Sequence, residues 1–354
     1  MIKTYRAEAP WQTPLLLLTI AAMTSATFAA RGQIGAVSLI GLSYALMIVM
    51  VLPAVALGAF AMFIARCAAR REPAPWACTR ELLARLRLSR RLTITILLPL
   101  LMMSTLMGAF GAAKSIIPHS NPFYLDDRLA AIDRMLFGGY QPWEWTHAVF
   151  GGVRATAALD LIYSAWVPLL FASLIIAGFA TRRQRAQFML TFALAWVLLG
   201  MVGSWLLSSA GPCYSALINA RSQAEFAPLM MRLAQIDAIQ ELGAIVWQKE
   251  LWQAQVERRF GIGVGISAMP SMHNAMTALY VAALWRTGLV SRYASLLFAL
   301  VIFIGSIHLG WHYAVDGLVS FTVVIALWHA VGHYLRWSGY TKTVNDVTLA
   351  QQPA

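Results

Sequence analysis

Long apolar runs separated by short polar segments dominate the chain. They cover roughly 13–30, 41–65, 92–113, 156–180, 188–209, 270–286, 293–309 and 317–335. The hydrocarbon core of a bilayer needs ~20 consecutive apolar residues per helical span, and these runs approach that length. They lack the apolar–polar alternation of a barrel strand. In lipid, the other spanning structure that satisfies its own backbone is the helix. The pattern predicts an all-α polytopic membrane bundle of about eight transmembrane helices. The stretch from Ile34 to Ala65 is long enough for one tilted helix with an interfacial lead-in.

The polar segments orient this bundle. Lys and Arg concentrate in cytoplasmic loops, which puts 1–12, 66–91, 181–187, 287–292 and 336–354 inside, with both termini. Segment 66–91 holds Arg66, Arg70, Arg71, Arg80, Arg85, Arg87, Arg90 and Arg91, and 181–187 adds Arg182, Arg183 and Arg185. The opposite face carries two long loops of mixed charge, 114–155 and 210–269. Within them, 123–150 interleaves Phe123, Leu129, Ile132, Trp143 and Trp145 with charges, and 228–256 repeats the character with Met231, Leu233, Trp247 and Trp252. Each suits an interfacial amphipathic helix, serving either as an aromatic anchor or as a roof over a lipid-binding site. The expected organisation is a three-span N-terminal region (1–113), an outer-face amphipathic segment (114–155), a core (156–335) and a cytoplasmic tail (336–354).

Composition agrees. Of 354 residues, 59% are hydrophobic and 12% charged, against about 25% charged in soluble domains, and mean hydropathy is +0.65. The net charge of +12 sits in short segments between apolar runs, so no nucleic-acid partner is expected. Cys67, Cys78 and Cys213 are too few for a disulfide framework. Lys3 and Arg6 lead into an apolar stretch from Pro14 that reads as a retained span rather than a cleaved signal.

Two segments carry candidate chemistry. In Ser267-Ala268-Met269-Pro270-Ser271-Met272-His273-Asn274, Pro270 sits where a helix begins, Ser271 can cap it and His273 falls in the first turn. Free amides and the positive end of the helix dipole converge there, which suits an anion. In Ser306-Ile307-His308-Leu309-Gly310-Trp311-His312-Tyr313-Ala314-Val315-Asp316-Gly317, His312 and Asp316 are four apart and would share a helical face. An Asp–His pair fixes an imidazole tautomer and raises its basicity. Both segments end neighbouring spans on the outer face. His147, His329 and His333 read instead as packed or interfacial residues.

Pro-Ser-x-His at 270–273 and His-x-x-x-Asp at 312–316 resemble the second and third motifs of the type 2 phosphatidic acid phosphatase superfamily, the lipid phosphate phosphatases related to vanadium haloperoxidases. His-Tyr-x-x-x-Asp, with Phe137-Gly138-Gly139 in an Asp-rich segment, is most similar to the inositol phosphorylceramide synthase branch. The resemblance covers roughly 150–335 and implies a phosphatase-type helical core. It implies that His312 attacks phosphorus to form a phosphohistidine, Asp316 orients it, His273 protonates the leaving oxygen, and Ser271 with nearby amides holds phosphate oxygens. Two departures stand out. The first motif, Lys-x6-Arg-Pro, should end the span before Pro-Ser-x-His, but Ser204 through Gly211-Pro212 keeps only the proline. The Arg six residues before the third-motif His is replaced by Ser306. Phosphoryl transfer needs positive partners. Lys114, Arg128, Arg134, Arg154 and Arg221 are the outer-face candidates, Lys114 first because it ends a span, and Lys114-x6-Asn121-Pro122 echoes the missing motif. His308 is a further candidate phosphate contact.

Asp160, near the outer end of its span with Tyr163 one turn on, either binds the headgroup or hydrogen-bonds a neighbouring helix. Tyr313 is a second candidate substrate contact. His308, His312 and Asp316 form an i, i+4, i+8 stripe open to a metal reading with His273, although the zinc-protease pattern is missing. Neither metal nor cofactor is expected. The reading is an integral multi-pass phosphohydrolase or phosphotransferase acting on a membrane lipid phosphate or phospho-headgroup, in a bacterial inner membrane with its site on the periplasmic face. A strict head-group transferase, a transporter and a catalytically inactive lipid binder are the alternatives.

Overall fold

The computed structural model describes residues 2–340 except 33, 70–92, 219, 260 and 262. Most of the arginine-rich loop, Cys78 and the tail beyond 340 lie outside the described residues. Every regular element among the described residues is helical.

The chain opens with α1 (Ile2–Ala29), α2 (Ile34–Ala69) and α3 (Leu98–Ser120), the last entered through a π-helical turn at Thr93–Leu97. α2 and α3 meet through small residues: a Cβ on Gly108 would lie 2.5 Å from Gly41 Cα. Close backbone approach of this kind is how helices associate in lipid. After α4 (Asp126–Leu136) and α5 (Pro142–Phe150), α6 (Val153–Ser164) and α7 (Trp166–Phe179) form one nearly continuous crossing. α8 (Arg182–Ala195) begins at a Thr181 cap and runs on through π-helical Trp196–Gly203 to Leu206. α9 (Pro212–Ile218), α10 (Ala220–Asp237) and α11 (Gly243–Val256) precede the last three helices, α12 (Met272–Leu284), α13 (Leu289–His308) and α14 (Ala314–Trp337).

Among the described residues, seven helical stretches are long and apolar enough to cross a membrane. The eighth expected span, 270–286, is realised as α12, whose 13 residues reach about 20 Å, less than the ~30 Å hydrocarbon core. α12 is buried continuously from Asn274 to Val281 and packs on α8, α13 and α14. Its apolarity serves contact with protein, which a hydropathy pattern does not separate from contact with lipid. The two amphipathic stretches are each realised as a pair of helices. Gly138 and Gly139, at φ +69° and +95°, break the first pair. Two of the three acidic residues of α4 face inward: Asp126 and Asp133 are buried while Arg128, Met135 and Leu136 are exposed.

At one end of the bundle α1 is tied to the last helices by buried Glu8. Its carboxylate accepts from Trp11 Nε1 (2.7 Å), Tyr340 Oη (2.8 Å) and Arg182 Nε (3.1 Å), and Tyr334 Oη donates to the Pro10 carbonyl (2.7 Å). The candidate site occupies the other end, where α3, α8 and α13 finish and α12 and α14 begin.

Candidate active site

Ser271 caps α12, as the Pro-Ser-x-His spacing predicts. Its Oγ accepts from Asn274 N (3.4 Å) and Asn274 Nδ2 (3.0 Å), leaving its own hydrogen to donate. Asn274 Nδ2 also reaches Ser306 Oγ (3.3 Å), and the Ser306 carbonyl accepts the amides of Trp311 (2.9 Å) and His312 (3.0 Å). A neutral hydrogen-bond chain thus joins the two histidine segments at the position where the resemblance leads one to look for an arginine.

His312 and Asp316 do not share a helical face. α13 stops at His308, Gly310 adopts φ +76°, and α14 starts at Ala314. His312 lies in the intervening turn, and Asp316 reaches back from the first turn of α14. Asp316 Oδ2 accepts the Tyr313 amide (3.0 Å) and sits 3.5 Å from His312 Nδ1. Asp316 is fully buried, a placement that is costly unless the carboxylate is paired. Burial pushes the His312 imidazole down to about 3, the Lys114 charge acts in the same direction and the Ala268 carbonyl in the opposite one. The ring is therefore neutral near pH 7, the form needed by a nucleophile.

His273 stands over this pair. Its ring centroid is 6.0 Å from that of His312, 4.5 Å from Tyr163 and 4.1 Å from Trp166. The Lys114 charge is felt at both imidazoles. Lys114 lies on α3, against which the loop leading to Pro270 packs. Gly265, at φ +103°, lies so close to α3 that a Cβ would fall 2.5 Å from the Lys114 carbonyl. The other basic candidates are placed differently: Arg128 and Arg154 are exposed, Arg134 pairs with Glu225, and the Arg221 side chain lies outside the described residues.

Segment 208–212, which lacks the first-motif cations, still threads between the histidine segments. The Ser209 hydroxyl accepts the Met269 amide (3.0 Å) and its carbonyl the Ala268 amide (2.9 Å). Gly211, at φ +94°, packs where a Cβ would lie 2.7 Å from the Trp311 carbonyl. A family model described as the PAP2 superfamily matches residues 127–330, more than half of the chain, and takes in both histidine segments. The chain belongs to the PAP2 superfamily. No curated protein and no solved structure matches it. PAP2 membership supports a membrane enzyme of the phosphatase or phosphotransferase kind.

Three other residues expected at a PAP2 site have different partners. His308 faces away from His312: its Nε2 lies 3.0 Å from Thr156 Oγ1, its Nδ1 3.3 Å from Thr146 Oγ1, and its ring stacks on His147 at 3.8 Å. The His308–His312–Asp316 stripe is not assembled, because the turn at Gly310 separates it, and no metal-holding cluster occurs among the described residues. Asp160 accepts the amides of Gly243 (2.8 Å) and Ala244 (2.9 Å) and so caps α11. Tyr313 is buried, with its hydroxyl on Asp126 Oδ1 (2.9 Å).

Two aspartates that the sequence did not single out brace the site. Asp126 accepts the amides of Ala210 (2.9 Å) and Gly211 (2.8 Å) as well as the Tyr313 hydroxyl. Burial raises its carboxyl, against the pull of these donors. Asp133 accepts the amides of Ala314 (2.7 Å) and Val315 (2.9 Å), capping the helix that carries Asp316. The acidic character of 123–150 was the available signal, but nothing local indicates which distant amides it meets.

Proposed function

We propose that this PAP2 protein cleaves a lipid phosphate or phospho-headgroup through a phosphohistidine on His312, at the outer face of a bacterial inner membrane. The observation carrying the reading is the juxtaposition of two imidazoles, His273 and the buried His312, the latter 3.5 Å from a buried carboxylate, beside a helix N-terminus and a lysine. His312 attacks phosphorus and the bond from phosphorus to the leaving oxygen breaks. His273 gives that oxygen a proton, and Asp316 holds the imidazolium. Ser271, the first amides of α12 and Lys114 meet the charge on the phosphoryl oxygens. Water or a lipid hydroxyl, deprotonated by His273, then resolves the phosphohistidine. Hydrolysis and head-group transfer share the first half of this sequence. Asp160 and Tyr313 support the site through the helix start and the turn that they hold.

The test is phosphate release from a panel of lipid phosphates and phosphodiesters by the purified protein, with and without a lipid-alcohol acceptor and with chelator. His312→Ala should lower turnover at least about 10³-fold, as removal of a nucleophile does. Labelled substrate should leave an acid-labile, base-stable phosphate on the wild type but not on that variant. Turnover that survives His312→Ala would sink the mechanism.

A further inference from the structure

The histidine pair is poor in cations and rich in aromatic donors. Tyr163 Oη, Trp166 Nε1 and Trp311 Nε1 are buried atoms without a hydrogen-bond partner. Tyr163 and Trp166 are each 6% exposed. All three belong to one stack of rings: Tyr163 and Trp166 lie against His273, and Trp311 is parallel to Tyr163 with centroids 6.5 Å apart. Trp143, Trp196 and Tyr280 also carry unpartnered buried donors, but none of them joins the ring stack built on His273. A buried donor without an acceptor is costly, so two against one imidazole, with a third one ring further along the same stack, point to a ligand that brings acceptor oxygens.

We infer that Tyr163, Trp166 and Trp311 are phosphoryl-binding donors, supplying through neutral O–H and N–H groups the hydrogen bonds that Ser306 and segment 204–211 no longer supply through cations. This rests on reading the site as a phosphoryl centre. A phosphoryl group presents several acceptor oxygens, and donors fixed in a water-poor site stabilise them without the desolvation cost of a buried guanidinium. Because the stack is built on His273, a phosphate held by these donors sits beside the proton donor of the reaction.

The probe is inorganic orthovanadate, a phosphate-shaped anion, titrated calorimetrically into the detergent-solubilised full chain. Tyr163→Phe keeps the ring on His273 and removes only the hydroxyl. Trp311→Phe keeps an aromatic ring and removes the indole N–H. Each should weaken binding about tenfold, the scale of one hydrogen bond to a charged group. Tyr280→Phe, which removes an unpartnered hydroxyl away from the site, should leave binding unchanged. Thermal midpoint and gel-filtration elution check that the variants are folded. The inference is overturned if the wild type binds no vanadate, if Tyr163→Phe and Trp311→Phe bind like the wild type, or if Tyr280→Phe weakens binding equally. Weakened binding in the two site variants supports the donors even if no lipid is turned over, an outcome that removes only the proposed reaction.

Discussion

His312 is the residue whose environment has the most direct kinetic consequence. In the proposed mechanism its neutral form attacks, and burial, with Lys114 second, holds the ring at about 3. An imidazole at the ordinary value near 6.5 would lose its neutral form about 25-fold between pH 7 and pH 5. The expectation is a kcat/KM profile, which reports the free enzyme, with no acid limb centred near 6.5; such a limb, abolished with the imidazole, would show that the ring is not buried as described. The same shift makes folding weaker in acid. As pH falls below about 6.5 the unfolded chain takes up a proton here that the folded chain refuses until about 3, so the stability contribution present above 6.5 is lost across that window. His312 and Asp316 were readable from sequence because motif spacing is local. The faces of His308 and Asp160 were not, because a side chain's direction depends on distant partners, 83 residues away for Asp160 to Gly243 and 152 for His308 to Thr156.

Among the elements, the start of α14 depends most on the rest of the chain. Asp133 lies 181 residues before the Ala314 amide that it accepts, so no helix-cap signal in the sequence identifies it. Asp133→Ala would leave two amides without this acceptor, at a cost of about 2 kcal/mol. The expected result is a lower thermal midpoint together with reduced kcat, since the loosened turn also carries Asp316; a lower midpoint with kcat intact would separate the cap from the chemistry. The long helices were legible because their apolar runs are continuous over the length that a membrane crossing needs. α12 was legible as a helix but not in its setting, and the stop at His308 was only hinted at by Gly310, whose φ of +76° a continuous helix cannot hold.

For the molecule as a whole, the two ends of the bundle do different work. Glu8, Arg182, Arg185 and Tyr340 fasten α1 to α8 and α14 at the end away from the histidines. Glu8→Ala leaves two arginines facing a vacated carboxylate position. Breaking a buried pair in this way costs roughly 3–5 kcal/mol, which should appear as earlier thermal unfolding while surviving folded protein keeps its turnover. A loss of turnover at unchanged stability would mean that the two ends communicate. Lys114, meanwhile, sits on α3, outside the 127–330 stretch that defines the family match. The cation felt by both imidazoles is therefore borrowed from an accessory helix, and the boundary of the inherited fold is not the boundary of the active centre. A chimera that joined this core to a different N-terminal region would keep the proposed nucleophile and lose its proposed counter-charge. A core given back a basic residue in segment 204–211 would no longer depend on the one that α3 lends it.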